Sequence, residues 1–148
     1  MDRSEATALL RQAGLRVTAP RVSVLLELAQ LPHADIETLR SRVALRLGSV
    51  SAQTIYDVLH AFVASGLVRR IDPAGGRARF ELDPGNGHHH LVCRRCASVV
   101  DVAPDKVDTP PVPADTHGFL VETTEVQYLG LCPACREPPS RHPTAHNA

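Results

Sequence analysis

The four cysteines of this chain form two Cys-x-x-Cys pairs, Cys93/Cys96 and Cys132/Cys135, and there are no others. Two such knuckles offer four thiolates to one tetrahedral Zn²⁺, which binds sulfur at about 2.3 Å. The 35 residues between the pairs exceed the short zinc-ribbon spacing, so the intervening segment must return the second knuckle to the first. A thioredoxin-type dithiol would need its Cys-x-x-Cys at a βαβ junction, and a zinc deaminase needs His-x-Glu with Pro-Cys-x-x-Cys. Neither pattern is present.

Composition explains why a metal is needed. The 148 residues are 43% hydrophobic but only 3% aromatic, with no tryptophan, so any core is aliphatic and thin. A sub-domain of about 50 residues with such a core commonly relies on a structural metal. No apolar run reaches the roughly 20 residues of a membrane span, and Met1–Glu5 is not a signal-peptide start, so a cytoplasmic, membrane-free protein is expected. In that reducing setting, paired cysteines favour metal over disulfides.

The front half reads as helices. Ser4 can cap a helix running to Ala13, and Thr18 a second one with Pro20 in its first turn, Val24, Leu25, Leu28 and Leu31 as its buried stripe, and Pro32 as its stop. Asp35 opens a third helix carrying Ile36, Leu39, Val43 and Leu47. Ser51 caps a fourth, with Ile55, Leu59, Phe62 and Val63 at helical spacing up to Gly66. Residues 67–71 and 77–82, joined by a turn rich in Gly and Pro, read as a hairpin. Helices followed by a two-stranded wing form a winged helix-turn-helix, whose fourth helix would enter a DNA groove. Its polar side carries Ser51, Gln53, Thr54, Tyr56, Asp57 and His60. The formal net charge is zero, but residues 1–83 hold 11 basic against 9 acidic side chains, with Arg11, Arg16 and Arg21 close together.

Beyond a hinge-like 83–87, strands are expected at 90–93, 98–102 and 119–131. The proline-rich stretch 103–118 leaves room only for a short helix, and the tail 138–148 has a disordered composition. In an extended His88-His89-His90, alternation puts His88 and His90 on one side and His89 on the other. Two imidazoles make a poor metal site. By topology the further candidates are His33, Glu81 and Asp101, and a site using them would couple the two halves across the hinge. The alternative reading of a histidine run is an exposed polar cluster. A metalloenzyme at these histidines is the rival from another class, but no paired nucleophile and base emerges.

Together these motifs resemble the ferric uptake regulator family of metal-dependent repressors. The resemblance rests on residues 14–21, His33, Thr54-Ile55-Tyr56, Gly75-Gly76 through Phe80-Glu81-Leu82, the histidine-cysteine block, His117-Gly118-Phe119 and residues 130–135. It implies an α+β chain: a winged-helix DNA-binding domain (1–83), a hinge (84–90), a small α/β dimerisation and zinc-binding domain (91–137) and a disordered tail. Cys93, Cys96, Cys132 and Cys135 would hold structural zinc. His33, Glu81, His88 and His90, with Asp101 as a fifth ligand, would hold a regulatory Fe²⁺, for which Mn²⁺ or Zn²⁺ can substitute. The partners implied are a second copy of the chain and an AT-rich palindromic operator, with no small-molecule substrate. Arg16 and Arg21 would face the DNA backbone or minor groove, and Tyr56 a thymine methyl.

Three features depart from the family pattern. Asp57 stands where arginine is frequent and would repel phosphate. Gly87, His89 and Thr124 leave at most a His89/His117 remnant of a third metal site, and the 103–116 loop is proline-rich. Asp57, Asn86-Gly87 and that loop most resemble the branch associated with catalase-peroxidase genes. That likeness implies derepression by peroxide through oxidation of His33 or His90. Glu81, where peroxide-sensing members carry aspartate, keeps iron-responsive control of uptake genes as the alternative.

Overall fold

The computed structural model describes residues 1–73, 75–83, 87–103, 113–122 and 124–136. The 103–116 loop, the hinge residues 84–86 and the tail fall wholly or largely outside these. The chain forms two compact units, Met1–Gly87 and His88–Ala148.

The first unit contains α1 (Arg3–Gln12), α2 (Ala19–Leu28), α3 (Ile36–Leu47), α4 (Ala52–Ala64) and the antiparallel hairpin β1 (Val68–Ile71) and β2 (Arg79–Leu82). Local chemistry sets the helix starts. The side chains of Thr18, Asp35 and Ser51 accept hydrogen bonds from the N–H groups of Arg21, Thr38 and Thr54. The cap of α1 is Asp2 rather than Ser4: Asp2 Oδ1 accepts from Glu5 N–H at 2.8 Å while Glu5 Oε2 accepts from Asp2 N–H at 2.6 Å. That reciprocal pair satisfies two donors, which a serine inside the first turn does not. α2 ends at Leu28, short of the expected stop, because Pro32 disfavours helical geometry in the residue before it. α4 closes at Gly66, whose φ of 71° glycine adopts without steric penalty.

Leu10, Val24, Leu25, Leu39, Val43, Ile55, Leu59 and Phe62, all buried, centre the core of this unit. Leu47 and Val63, expected on the buried stripes, are 37% and 39% exposed. Glu27 is buried at the α2–α3 contact, where its carboxylate accepts from Arg42 Nε at 2.9 Å and from Arg46 Nε. Burial pushes its pKa up, but the two guanidinium hydrogen bonds outweigh this and hold it below the ordinary value.

The second unit has β3 (His89–Cys93), β4 (Val99–Val102), β5 (Gln127–Gly130) and a single turn, α5 (Pro133–Arg136). β3 is central, antiparallel to β4 and parallel to β5. The strand expected over 119–131 is thus only four residues long. Both edges of β3 are taken by β4 and β5, and Phe119 and Leu120 stay 78% and 85% exposed. The register aligns Leu91 with Val100 and Tyr128 on one face, and His90 with Asp101 and Gln127 on the other.

Candidate metal centres and DNA-facing surface

The parallel pairing of β5 with β3 brings the two knuckles together. Cys93 ends β3 opposite Gly130, and Arg94 N–H donates to Gly130 O at 2.8 Å. The first knuckle closes through Ala97, in the left-handed region at φ 56°, whose N–H donates to Cys93 O at 2.9 Å. The second is the first turn of α5, with Cys135 N–H donating to Cys132 O at 2.9 Å.

The four sulfurs all lie within 4.8 Å of one another. Cys96 Sγ and Cys132 Sγ are 3.8 Å apart. A disulfide would require about 2.05 Å. The edge of a tetrahedron with 2.3 Å zinc–sulfur bonds is about 3.8 Å, so this donor set fits Zn²⁺ in both softness and size.

The backbone prepares the charge of the site. N–H groups of Cys132 and Cys96 point at Cys93 Sγ, the former at 3.4 Å, and hold its pKa down to about 6 against the opposing effect of burial. Cys96 is lowered by its hydrogen bond with Ser98, 3.3 Å away. Cys135 goes the other way, to about 12, through its hydrogen bond with Cys132 and then through burial. Without a cation the cluster keeps a proton on Cys135, which metal binding must displace.

A second group of ligands starts in the first unit. His33 sits in the α2–α3 loop at φ 63°, a left-handed conformation uncommon for a side-chain-bearing residue. The wing pins it there: Phe80 N–H donates to Ala34 O at 3.0 Å and Arg79 donates to His33 O at 3.4 Å. So fixed, His33 Nε2 lies 2.9 Å from Oε2 of the buried Glu81 on β2. Strain held by surrounding structure is typical of functional positions. Arg69, across the wing, approaches Glu81 Oε1 at 4.0 Å and binds both oxygens of Asp83 at 3.1 and 3.2 Å.

The second unit supplies its own set. The rings of His88 and His90 meet edge to face, with centroids 4.8 Å apart. Their Nε2 atoms lie 3.5 and 3.6 Å from the same oxygen of Asp101, the β4 residue in register with His90. His89 points to the other face, against Tyr128 at 5.9 Å between ring centroids. Exposed His117 lies 3.3 Å from Asp115. Among the described residues neither His89 nor His117 belongs to a group of three or more potential ligands.

On α4, Ser51 and Thr54 are engaged in the cap, with 2.8 Å between their hydroxyl oxygens, and Tyr56 is 55% exposed. Arg16, Thr18, Pro20, Arg21, Thr54, Asp57 and Val58 line an open cleft of about 260 Å³. Arg21 is tied to it by a 3.0 Å bond to Arg16 O. Gln53 Nε2 donates to Asp57 Oδ1 at 2.8 Å, a contact missed from the sequence although the i, i+4 spacing on a helix was the available signal.

Compared with known families, residues 12–129 match the ferric uptake regulator family. The chain belongs to that family. It is 50% identical over 127 residues to the transcriptional regulator FurA of Mycobacterium tuberculosis H37Rv, covering 85% of this chain and 86% of that protein. The ferric uptake regulation protein of Escherichia coli K12 is 32% identical over 139 residues, 90% of this chain and 93% of the relative. The solved ferric uptake regulator of Vibrio cholerae superposes with a TM-score of 0.65 at 29% identity, covering 85% of this chain and 98% of that one. A Pseudomonas aeruginosa ferric uptake regulator solved with manganese gives 0.63 at 28% identity, covering 86% and 98%. The chain is accordingly a metal-dependent transcriptional regulator with the family's winged-helix and zinc-binding architecture. No helix among the described residues is long and apolar enough to cross a membrane.

Proposed function

We propose that this protein is a homodimeric repressor that binds an AT-rich palindromic operator when a regulatory Fe²⁺ is bound, and releases it when peroxide oxidises a ligand histidine. The controlled genes would be its own and those of catalase-peroxidase and oxidative-stress defence. The observation that carries the reading is the pairing of ligands within each unit: His33 with Glu81 in the first, His88 and His90 with Asp101 in the second. In this proposal the two sets close on one divalent ion, with nitrogen and carboxylate donors suited to Fe²⁺ or Mn²⁺. Occupancy then biases the angle between the DNA-binding and dimerisation domains. The row Leu91, Val100 and Tyr128, respectively 49%, 57% and 42% exposed, supplies the apolar face for the second copy. Arg16, Arg21, Ser51, Gln53, Thr54 and Tyr56 form the DNA-facing set, while the zinc cluster holds the dimerisation domain together.

Held by these residues, Fe²⁺ would catalyse oxidation by H₂O₂ of an adjacent imidazole, His33 or His90, one peroxide oxygen adding to the ring and the other leaving as water. The 50% identity to a mycobacterial FurA favours this branch. Glu81 supports the second reading, iron-responsive repression of uptake genes. Peptide mass spectrometry after H₂O₂ treatment of the Fe²⁺ form separates the two. Added oxygen on a His33 or His90 peptide, with loss of operator binding, is expected. Unmodified peptides with binding retained would give iron sensing instead.

A further inference from the structure

Asp57 is an anion on the helix assigned to DNA, which a simple phosphate-contact picture leaves unexplained. Two observations account for it. Its carboxylate accepts from Gln53 Nε2 at 2.8 Å, and it lines the same cleft as Arg16 and Arg21. One anion beside two cations leaves the cleft net positive, so its charge is locally offset where a backbone phosphate would approach.

The hydrogen bond also determines what Gln53 can read. A glutamine amide is nearly symmetric in shape, and if unrestrained it can present nitrogen or oxygen to a base edge with similar ease. Only the nitrogen can donate to a carboxylate, so Asp57 fixes which way the group is turned. Its second N–H and its carbonyl oxygen then form the outer edge. That edge, one donor beside one acceptor, is the complement of adenine N7 and N6–H in the major groove. Thymine O4 or guanine O6 could use only the donor half of that edge, leaving the carbonyl oxygen unpaired. Ser51 and Thr54 are bound up in the helix cap, which leaves Gln53 and Tyr56 as the exposed readers of this turn.

We propose that Asp57 is a positioning residue for sequence readout, holding the Gln53 amide in the orientation that selects adenine at one position of each operator half-site. The inference rests on the DNA-binding reading above. The test uses the full-length, zinc-containing protein loaded with Mn²⁺ and a randomised double-stranded DNA pool, with bound sequences counted. Wild type should prefer adenine at one position by about 5- to 150-fold, the range of a good bidentate base contact. Asp57→Ala and Gln53→Ala should each abolish that preference at the same position, and the double variant should do no more than Gln53→Ala. Asp57→Asn offers both a donor and an acceptor and so permits either Gln53 orientation, and it should weaken the preference at that position while tightening binding to every sequence.

If Asp57→Ala shifts affinity for all sequences by one factor and leaves the preferred bases unchanged, the residue is only a charge and the proposal falls. Effects of the two alanine variants at different positions would overturn it as well. A wild type that enriches no sequence would instead remove the DNA-binding reading, a distinguishable failure. Matching helical circular dichroism for all variants ensures that α4 is intact in the comparison.

Discussion

Chelating the zinc should unfold the second unit and leave the first standing. Among the described residues, the buried apolar side chains of the second unit are Val92 and Cys93. At about 1.5–3 kcal/mol for a fully buried aliphatic side chain, these contribute a few kcal/mol at most. Structural zinc in small domains is worth about 10–16 kcal/mol in apparent binding energy at neutral pH, so the metal dominates. The first unit packs fifteen buried residues into one cluster and needs no metal for it. Amide NMR of zinc-stripped protein, with zinc content checked by atomic absorption, should show the signals of Leu91, Val92, Val100 and Leu129 collapsing to unfolded positions. Those of Leu25, Val43 and Phe62 should stay dispersed. The zinc affinity should also carry a pH signature. Above the Cys93 value of about 6 that thiol is already ionised, whereas below it one more proton must be displaced, so the affinity should fall more steeply as pH drops past that point. Cys135, at about 12, must surrender its proton throughout the working range. Dispersed second-unit signals in protein proven free of zinc would refute the argument.

Three further predictions concern packing and the face offered to a second copy. Glu27→Gln should cost about 1–2 kcal/mol at pH 7, the value of charge-assisted hydrogen bonds discounted because Arg42 and Arg46 are 43% and 39% exposed. Because the folded pKa of Glu27 is lowered, its contribution is complete above the unfolded value near 4.5 and is lost as pH falls through the folded one, so the difference should vanish in urea melts at strongly acid pH. Replacing Arg42 and Arg46 together by alanine should cost more, about 3–5 kcal/mol, since it leaves the carboxylate buried without its partners; equal or smaller cost would contradict that account. Leu91→Asp, at the centre of the exposed apolar row, should give a monomer by analytical ultracentrifugation with zinc retained, and a persistent dimer would exclude that face as the interface.

What could be read from the sequence was mostly local. Thr18, Asp35 and Ser51 act through bonds to residues three positions on, so their capping roles are visible in the chain itself. The same locality misled at Ser4, because a serine and an aspartate two residues apart compete for one role and the Glu5 partner decides it. The cysteine cluster was legible because two Cys-x-x-Cys pairs use every cysteine of the chain and together supply a full tetrahedral set for zinc whatever the fold. The alternation of His88, His89 and His90 followed from strand geometry and recurs in the observed ring contacts. The parallel return of β5 was not legible: its register with β3 is set by contacts about 37 residues apart, and the apolar run from Phe119 looks the same whether paired or not. Nor could the sequence reveal the left-handed His33, which depends on a bridge from Ala34 to Phe80.

In the proposed function, a divalent ion held by His33, Glu81, His88, His90 and Asp101 gates DNA binding. Fluorescence anisotropy with the DNA upstream of the protein's own gene, in zinc-containing protein with Mn²⁺, Fe²⁺ or a mild chelator, tests it most directly. An ion at a hundred times its dissociation constant can shift a conformational equilibrium by up to about 2.7 kcal/mol, so affinity should rise by up to about 100-fold with metal. His33→Ala should remove that rise without releasing zinc. Equal affinity with metal and with chelator, or an undiminished metal response in His33→Ala, would contradict the account.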